Sequence, residues 1–118
     1  YLQNDGTWVC GGHGSFNDVY IRSDRRSKRN IRKIERALDK LDRIEGVLYE
    51  IQVCDRYEQS GGLIAQDVQN VQPELVTVDH NDQSGEPRLR LNYNGVIGML
   101  VEAVKELREE VRELKAKM

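Results

Sequence analysis

The sequence predicts an α+β fold, in which a small globular part of helices and strands is followed by a long C-terminal helix. Three stretches of the chain predict this class. Residues 1–22 interleave glycines with aromatic and β-branched residues, which is typical of short strands and turns. Residues 30–93 switch between helical and strand-like spacing of apolar residues, and residues 97–118 carry a seven-residue apolar repeat.

The composition favours one small domain that associates with further copies of itself. A chain of 118 residues has room for one compact domain. Hydrophobic residues make up 38% and charged residues 32%, which is little apolar material for a monomer. We therefore expect apolar surface to be shared between chains.

The charge is unevenly distributed along the chain. The net charge of −2 argues against a surface built throughout for nucleic acid. Residues 22–36 nevertheless carry eight Arg or Lys, against Asp24 and Glu35. A solvated face is the preferred interpretation of this basic segment, and contact with nucleic acid is the alternative.

The sequence predicts no cofactor, metal or membrane site. Cys10 and Cys54 are too few for a disulfide framework and lack the spacing of a metal site, so both are expected as reduced thiols. His13 and His80 are expected at the surface rather than as ligands. No signal peptide heads the chain, and no run of about 18 apolar residues predicts a membrane span.

The first elements of the globular part are a helix and a strand. Asn30 is a plausible N-cap and Gly46 a plausible end for an amphipathic helix of about three to four turns. Its apolar residues recur every three or four positions, at Ile31, Ile34, Leu38 and Leu41. Residues 47–53 then alternate in the manner of a half-buried strand.

A second group of short elements follows. Residues 66–71 are predicted to form a helical turn that ends before Pro73. Strands are predicted at residues 75–78 and 89–93, with a polar loop over residues 79–87 between them.

The last segment has the pattern of a coiled-coil helix, with Asn94 as its N-cap. Its a positions are Ile97, Val104, Val111 and Met118, and its d positions are Leu100, Leu107 and Leu114. Glu110 and Lys115 occupy g and e positions and are expected to pair between chains. A helix with so narrow an apolar stripe gains little by folding alone, so the pattern predicts self-association. Ile and Val at a with Leu at d lean toward two strands.

A serine and a lysine lie five residues apart in the basic segment, at Ser23 and Lys28. A neutral lysine can serve as the general base for a serine nucleophile, so the pair is a candidate Ser-Lys dyad, although a serine near a lysine is common. Five extended residues span about 17 Å, whereas a lysine side chain reaches about 6 Å. The chain must therefore turn sharply between the two residues, or Lys28 of one subunit must serve Ser23 of another.

Three sequence blocks together resemble the S74-type peptidase domain, the C-terminal intramolecular chaperone and auto-processing domain of bacteriophage tailspike and tail-fibre proteins. The first block is Ser23-Asp24-Arg25-Arg26-x-Lys28-x-Asn30-Ile31. The second is Gly62-Leu63-Ile64-Ala65-Gln66-Asp67-Val68 with Pro73-Glu74-Leu75-Val76, and the third is Leu91-Asn92-Tyr93-Asn94-Gly95-Val96-Ile97. The three blocks occur in this order within residues 23–118, and together they identify the family more specifically than any one block does alone. Ser27 departs from the family pattern, in which that position is commonly apolar.

The resemblance implies a homotrimer that holds the preceding fibre chains together while they fold into a triple-stranded β-helix or similar β-structure. It then implies self-cleavage of the Arg22–Ser23 bond, with Ser23 as the nucleophile and Lys28 as the base. Residues 1–22 are accordingly predicted to be the β-rich C-terminal end of a fibre. Residues 23–118 are predicted to be the chaperone, with its coiled-coil helix over about 95–118. We expect the trimer of the family rather than the dimer that the a and d residues favour, because a seam of about three heptads specifies oligomeric state poorly.

The expected partners are further copies of the chain and the upstream fibre segment of the same polypeptide, without membrane or nucleic acid. We expect assembly in the host cytoplasm, incorporation of the mature fibre into the virion, and release of the chaperone after cleavage. The alternatives are a structural trimerisation cap that does not cut, and a nucleic-acid-binding module joined by its coiled coil.

Overall fold

The computed structural model describes residues 1–80 and 85–118, and its short helices, short strands and long terminal helix agree with the predicted α+β class. The helices are α1 (Ala37–Leu41), α2 (Ala65–Val71) and α3 (Tyr93–Ala116). The strands are β1 (Val47–Val53), β2 (Arg56–Gly62), β3 (Val76–Asp79) and β4 (Arg88–Leu91). Short 3-10 turns lie at Arg25–Ser27 and Pro73–Leu75.

The described residues form two compact units. The first comprises Tyr1–Arg32 and Leu48–Gly61, and the second comprises Lys33–Val47 and Gly62–Met118. Most of the two-stranded β1–β2 sheet belongs to the first unit. β1 has the predicted bounds, whereas the sequence pattern misses β2, because its residues are mostly polar and end in two glycines. Cys54, in the left-handed conformation with φ of 58°, turns the chain between the two strands.

Residues 1–22 carry little regular structure. They contain one antiparallel bridge, between Leu2 and Trp8, where short strands are predicted. Trp8 also makes an edge-to-face contact with Phe16, with 6.2 Å between the ring centroids. An isolated pair of strands is marginally stable in water, which explains why strand-forming residues in this segment form only a bridge.

The core of the second unit lies where α1 packs against α3. Ala37 of α1 and Met99 of α3 are fully buried, and Ala103 of α3 is nearly so. Partly buried side chains surround these three: Ile34, Leu38, Leu41, Ile44 and Leu75. Because the two alanines are short, the helices can approach closely, and the flexible Met99 side chain fills the space between them.

The helix predicted from Asn30 is wrong in its extent, because α1 begins only at Ala37. Asn30 and Arg36 both have φ of 55°, a left-handed conformation that interrupts a right-handed helix. A side chain from α3 binds the first N–H groups of α1 instead. Glu106 accepts from the Ala37 N–H at 2.8 Å and from the Leu38 N–H at 3.2 Å.

The two strands predicted in the second half of the chain form an antiparallel pair, but β3 begins one residue later than predicted and β4 ends at Leu91, because Tyr93 is the first residue of α3. β3 pairs with β4 in a register that runs from Val76↔Leu91 to Asp79↔Arg88. α2 begins one residue earlier than predicted and ends before Pro73, whose ring cannot continue a helix. Part of the polar loop predicted at residues 79–87, namely residues 81–84, lies outside the described residues.

α3 begins two residues earlier than predicted. Asn92, rather than Asn94, is its N-cap, because the Asn92 side-chain oxygen accepts from the N–H groups of Asn94 at 3.0 Å and Gly95 at 3.4 Å. Among residues 1–80 and 85–118, no helix is long and apolar enough to cross a membrane.

α3 has two apolar faces. Val96, Met99 and Ala103 are its buried residues. The predicted a and d positions within α3 form a second face, which we call the exposed seam: Ile97, Leu100, Val104, Leu107, Val111 and Leu114. The exposed fractions of these residues range from 42% at Val111 to 64% at Leu114. In a single chain, the seam therefore leaves a row of large apolar side chains in contact with water.

Candidate active site

Ser23 and Lys28 are in contact in the structure of a single chain. Lys28 Nζ donates a hydrogen bond to Ser23 Oγ, with 2.5 Å between the two atoms. The sequence leaves open a sharp turn or a second subunit, and the chain adopts the turn. A lysine nitrogen at this distance is within reach of the hydroxyl proton that a general base would accept.

A 3-10 turn over Arg25–Ser27 brings the two side chains together. The Ser27 N–H donates to the Asp24 carbonyl at 3.1 Å. The Lys28 N–H donates to the Arg25 carbonyl at 3.0 Å. Asp24 and Lys28 themselves are extended, with ψ of 136° and 153°. A 3-10 turn rises about 2 Å per residue, against about 3.3 Å in an extended chain, so it shortens the path between the lysine and the serine.

The Asp24 carboxylate caps this turn. Its Oδ1 accepts from the Arg26 N–H at 2.8 Å and from Arg26 Nε at 3.1 Å, and its Oδ2 accepts from Arg26 Nη2 at 2.9 Å. These bonds to Arg26 hold the pKa of Asp24 below its ordinary value. The spacing between the serine and the lysine does not by itself indicate that Asp24 contributes to the site. A local signal for it exists, since aspartate often binds the backbone N–H two residues later.

The site is open to solvent and basic in the single chain. Residues 21–30 are all exposed, and Arg22, Arg25 and Arg29 belong to this segment. Ser27, which departs from the family pattern, is exposed as well, so its hydroxyl is not buried. A lysine acts as a base in its neutral form, which nearby positive charge and removal of water both favour.

Other residues named from the sequence make contacts of a different kind. His13 Nε2 and Glu58 Oε2 are 2.5 Å apart, and Arg56 Nε binds Glu58 Oε1 at 2.9 Å. The hydrogen bonds from His13 and then from Arg56 lower the pKa of Glu58. Cys10 and Cys54 are exposed free thiols. Within residues 1–80 and 85–118, no group of three His, Cys, Asp or Glu side chains is arranged to hold a metal ion.

The chain is similar to phage fibre proteins. The long tail fiber protein Gp37 of Escherichia phage AR1 is 45% identical over 95 residues, which cover 75% of this chain and 8% of that protein. Gp37 of Enterobacteria phage M1 is 39% identical, over 94% of this chain and 45% of that protein. Gp37 of Salmonella phage S16 is 37% identical, over 92% of this chain and 15% of that protein. This chain therefore spans less than half the length of each of these relatives.

A family model matches the segment that contains the Ser23–Lys28 contact. Residues 23–77 match the Peptidase S74 family, described as the chaperone of endosialidase. The match begins at Ser23 and includes the first two of the three sequence blocks. The resemblance noted from the sequence is thereby confirmed. Over residues 23–77, the chain is therefore similar to the Peptidase S74 family, the chaperone of endosialidase.

Proposed function

We propose that this chain is the intramolecular chaperone of a phage tail fibre, which assembles as a homotrimer and then releases itself by cutting the Arg22–Ser23 bond. Ser23 is the nucleophile and Lys28 is the general base. The observation that carries the proposal is the 2.5 Å contact between Lys28 Nζ and Ser23 Oγ. The family match over residues 23–77 and the similarity to fibre proteins support the chaperone role.

The first step is an acyl shift within the chain. Lys28 Nζ, in its neutral form, takes the proton from Ser23 Oγ as that oxygen attacks the carbonyl carbon of Arg22. The C–N bond between Arg22 and Ser23 then breaks, and Lys28 returns the proton to the Ser23 nitrogen. An ester joins the Arg22 carbonyl to Ser23 Oγ, and the Ser23 amine is free. Because the hydroxyl attacks a bond of its own residue, proximity replaces substrate binding.

The second step is hydrolysis of this ester. Lys28 takes a proton from the water molecule that attacks the ester carbonyl, and gives the proton to Ser23 Oγ as the C–O bond breaks. The fibre then ends in the Arg22 carboxylate, and the chaperone begins with the amine and hydroxyl of Ser23. The reaction consumes one water molecule and occurs once in each chain.

The exposed seam supports association of the chaperone. Large apolar side chains lie along one face of α3, and a contiguous apolar surface of this kind marks a site of protein association. Their heptad spacing suits the packing of a coiled coil. We assign three chains to this coil, in accord with the family resemblance.

The proposal includes control of cleavage by assembly. Ser23 and Lys28 are exposed in the single chain, where water favours the ammonium form of a lysine. Native packing of the upstream fibre strands against the site would remove this water and supply N–H donors for the oxyanion. Cleavage would then report that the fibre had folded. Misfolded upstream variants that are cut at the wild-type rate would contradict this part of the proposal.

The Arg22–Ser23 bond also separates the two functional parts of the chain, the fibre end and the chaperone. Residues 1–22 are the C-terminal end of the fibre, and residues 23–118 are the chaperone, with its coiled coil over about 95–118. The start of the family match at Ser23 supports this boundary. Assembly takes place in the host cytoplasm, the mature fibre becomes part of the virion, and the chaperone leaves after cleavage.

Mass spectrometry of the freshly synthesised chain tests the proposal. The wild-type chain is expected to yield two fragments that meet at Arg22–Ser23, whereas Ser23→Ala and Lys28→Ala stay intact. Lys28→Arg is expected to stay intact too, since arginine keeps the charge but does not lose its proton. Arg29→Ala is the matched control, which removes a neighbouring basic side chain and leaves cleavage in place. A cut Ser23→Ala chain would contradict the proposed nucleophile.

A structural trimerisation cap that does not cut is the second candidate, because the exposed seam favours association whether or not the chain is cleaved. A wild-type chain that stays intact and sediments as a trimer would favour the cap. Salt-sensitive binding of DNA by the intact chain would favour a nucleic-acid-binding module instead, since phosphate contacts give a steep salt dependence.

A further inference from the structure

Asp24 lies between the proposed nucleophile and the turn that carries the proposed base. Its carboxylate binds the Arg26 N–H at 2.8 Å, at the start of the 3-10 turn that ends at Ser27. We infer that Asp24 is a positioning residue for the cleavage, because its cap holds the turn that places Lys28 Nζ at Ser23 Oγ. This inference rests on the proposed function of the Ser23–Lys28 pair.

The turn is required by the reach of the lysine side chain. An extended segment from Ser23 to Lys28 spans about 17 Å, and a lysine side chain covers about 6 Å of it. Conformations in which the turn has opened therefore separate Nζ from Oγ. Since only the closed conformation can react, the cleavage rate is proportional to the population of the closed turn.

The backbone bond, rather than the ion pair with Arg26, is the part of the contact that closes the turn. The first N–H groups of a helical turn have no carbonyl partner within it, and the Asp24 carboxylate supplies one for Arg26. The Arg26 side chain is 90% exposed and the Asp24 side chain is 51% exposed. Ion pairs as exposed as this one contribute little to stability.

A direct effect of the Asp24 charge on the lysine would work against the reaction. A carboxylate favours the ammonium form of a nearby lysine, whereas the base must be neutral. In the structure both oxygens of Asp24 bind Arg26. The two possible roles of Asp24 therefore predict different cleavage rates for an uncharged residue at position 24 that can still accept a hydrogen bond. If Asp24 acts as a cap, such a residue preserves the rate, and if its charge acts on the lysine, the rate changes.

The test is the time course of cleavage during cell-free synthesis of the whole chain. Asp24→Asn keeps an acceptor for the Arg26 N–H and is expected to cut within about twofold of the wild-type rate, because asparagine is as good an N-cap as aspartate. Asp24→Ala is expected to cut more slowly, by up to about fivefold, because loss of a typical N-cap lowers the ratio of closed to open turn about fivefold. Arg26→Lys, the matched control, replaces the guanidinium that binds Asp24, keeps the positive charge and the backbone N–H, and should cut like the wild type.

A second non-capping variant guards against a folding defect in Asp24→Ala. Asp24→Gln keeps a polar amide, but its longer side chain does not match the Arg26 N–H, so it should be slowed to a similar degree. Asp24→Ala and Asp24→Gln chains that cut at the wild-type rate would overturn the inference. Asp24→Asn as slow as Asp24→Ala would also overturn it, because the charge would then be the essential feature.

The chemical shift of the Arg26 amide separates failure of this inference from failure of the proposed function. It is measured by NMR in the uncut Ser23→Ala chain. We expect Asp24→Ala to move it toward the value of an unstructured peptide, and Asp24→Asn to leave it in place. An unchanged shift in Asp24→Ala would overturn the cap, whereas a wild-type chain that is never cut at Arg22–Ser23 would overturn the proposed function.

Discussion

Two glycines of α3 should respond in opposite directions to the same substitution by alanine. A Cβ atom at Gly95 would lie 2.0 Å from Leu75 Cδ2, 2.9 Å from Cγ and 3.0 Å from Cδ1. The whole branched end of Leu75 must therefore move, or the start of α3 must withdraw from it. A Cβ atom at Gly98 would lie 3.6 Å from Ile34 Cδ1, which is an ordinary contact.

The size of each effect follows from these distances. Forcing an extra methyl group into a packed contact destabilises a protein by about 1–3 kcal/mol. Replacing glycine by alanine within a helix stabilises it by at most about 1 kcal/mol. Gly95 lies in the first turn of α3, where alanine stabilises a helix less than in its interior. Gly95→Ala should therefore lower the free energy of unfolding by about 1–2 kcal/mol. Gly98→Ala meets no obstacle and should raise it by about 0.5–1 kcal/mol.

The assay is equilibrium unfolding in urea, with the uncut Ser23→Ala chain as the parent. All chains are compared at one protein concentration, because the stability of an associating protein depends on it. The unfolding midpoint should fall for Gly95→Ala and rise for Gly98→Ala. Equal shifts of the same sign would refute the packing of Leu75 against the start of α3.

Three further predictions test other contacts. Glu106→Ala should lower the free energy of unfolding by about 2–4 kcal/mol, because it removes a carboxylate bound to two N–H groups of α1, one of them on the buried Ala37. Urea unfolding measures the loss, and Glu106→Gln, which keeps an acceptor, should lose less. Leu107→Asp should reduce the mass in solution to that of one chain and slow cleavage, because it places a charge in the exposed seam. Arg112→Asp, at a b position away from the seam, is the control. Because hydrogen bonds from Arg26 lower the pKa of Asp24 from 3.8, the ion pair between the two side chains should persist from neutral pH to below 3.8 and be lost as the pH falls through the lowered pKa. The NMR shift of the Asp24 carboxyl carbon in the Ser23→Ala chain reports this protonation, and a transition above 3.8 would contradict it.

Local patterns in the sequence predict the elements whose partners are near in the chain. Residues 47–53 alternate and form β1, and Pro73 marks the end of α2. The heptad pattern predicts α3 and the exposed seam, because the helical period alone determines which residues share a face. The cap of α3 lies at Asn92 instead of Asn94, since two asparagines with equal capping propensity lie two residues apart.

Elements that depend on distant residues are not predictable in this way. α1 is short because Arg36 adopts a left-handed conformation, and its N–H groups find their acceptor on Glu106, 69 residues from Ala37. No local pattern connects these positions. β2 is equally hidden, because its mostly polar sequence forms a strand only through pairing with β1.

The candidate site lies between these two cases. The spacing of Ser23 and Lys28 predicts which residues to pair, and the reach of the lysine side chain predicts that the chain must turn or use a second subunit. The spacing does not predict the turn itself, because it takes no account of Asp24, whose side chain caps the 3-10 turn. An aspartate directly after the serine is the feature that would have pointed to it.

Self-cleavage by an assembled chaperone is tested by the N-terminal sequence of the purified C-terminal fragment, together with its mass in solution. We expect a fragment that begins Ser23-Asp24-Arg25 and sediments as three chains, with no such fragment from Lys28→Ala. A trimeric wild-type chain that still begins at Tyr1, or a fragment that begins at any other residue, would contradict it.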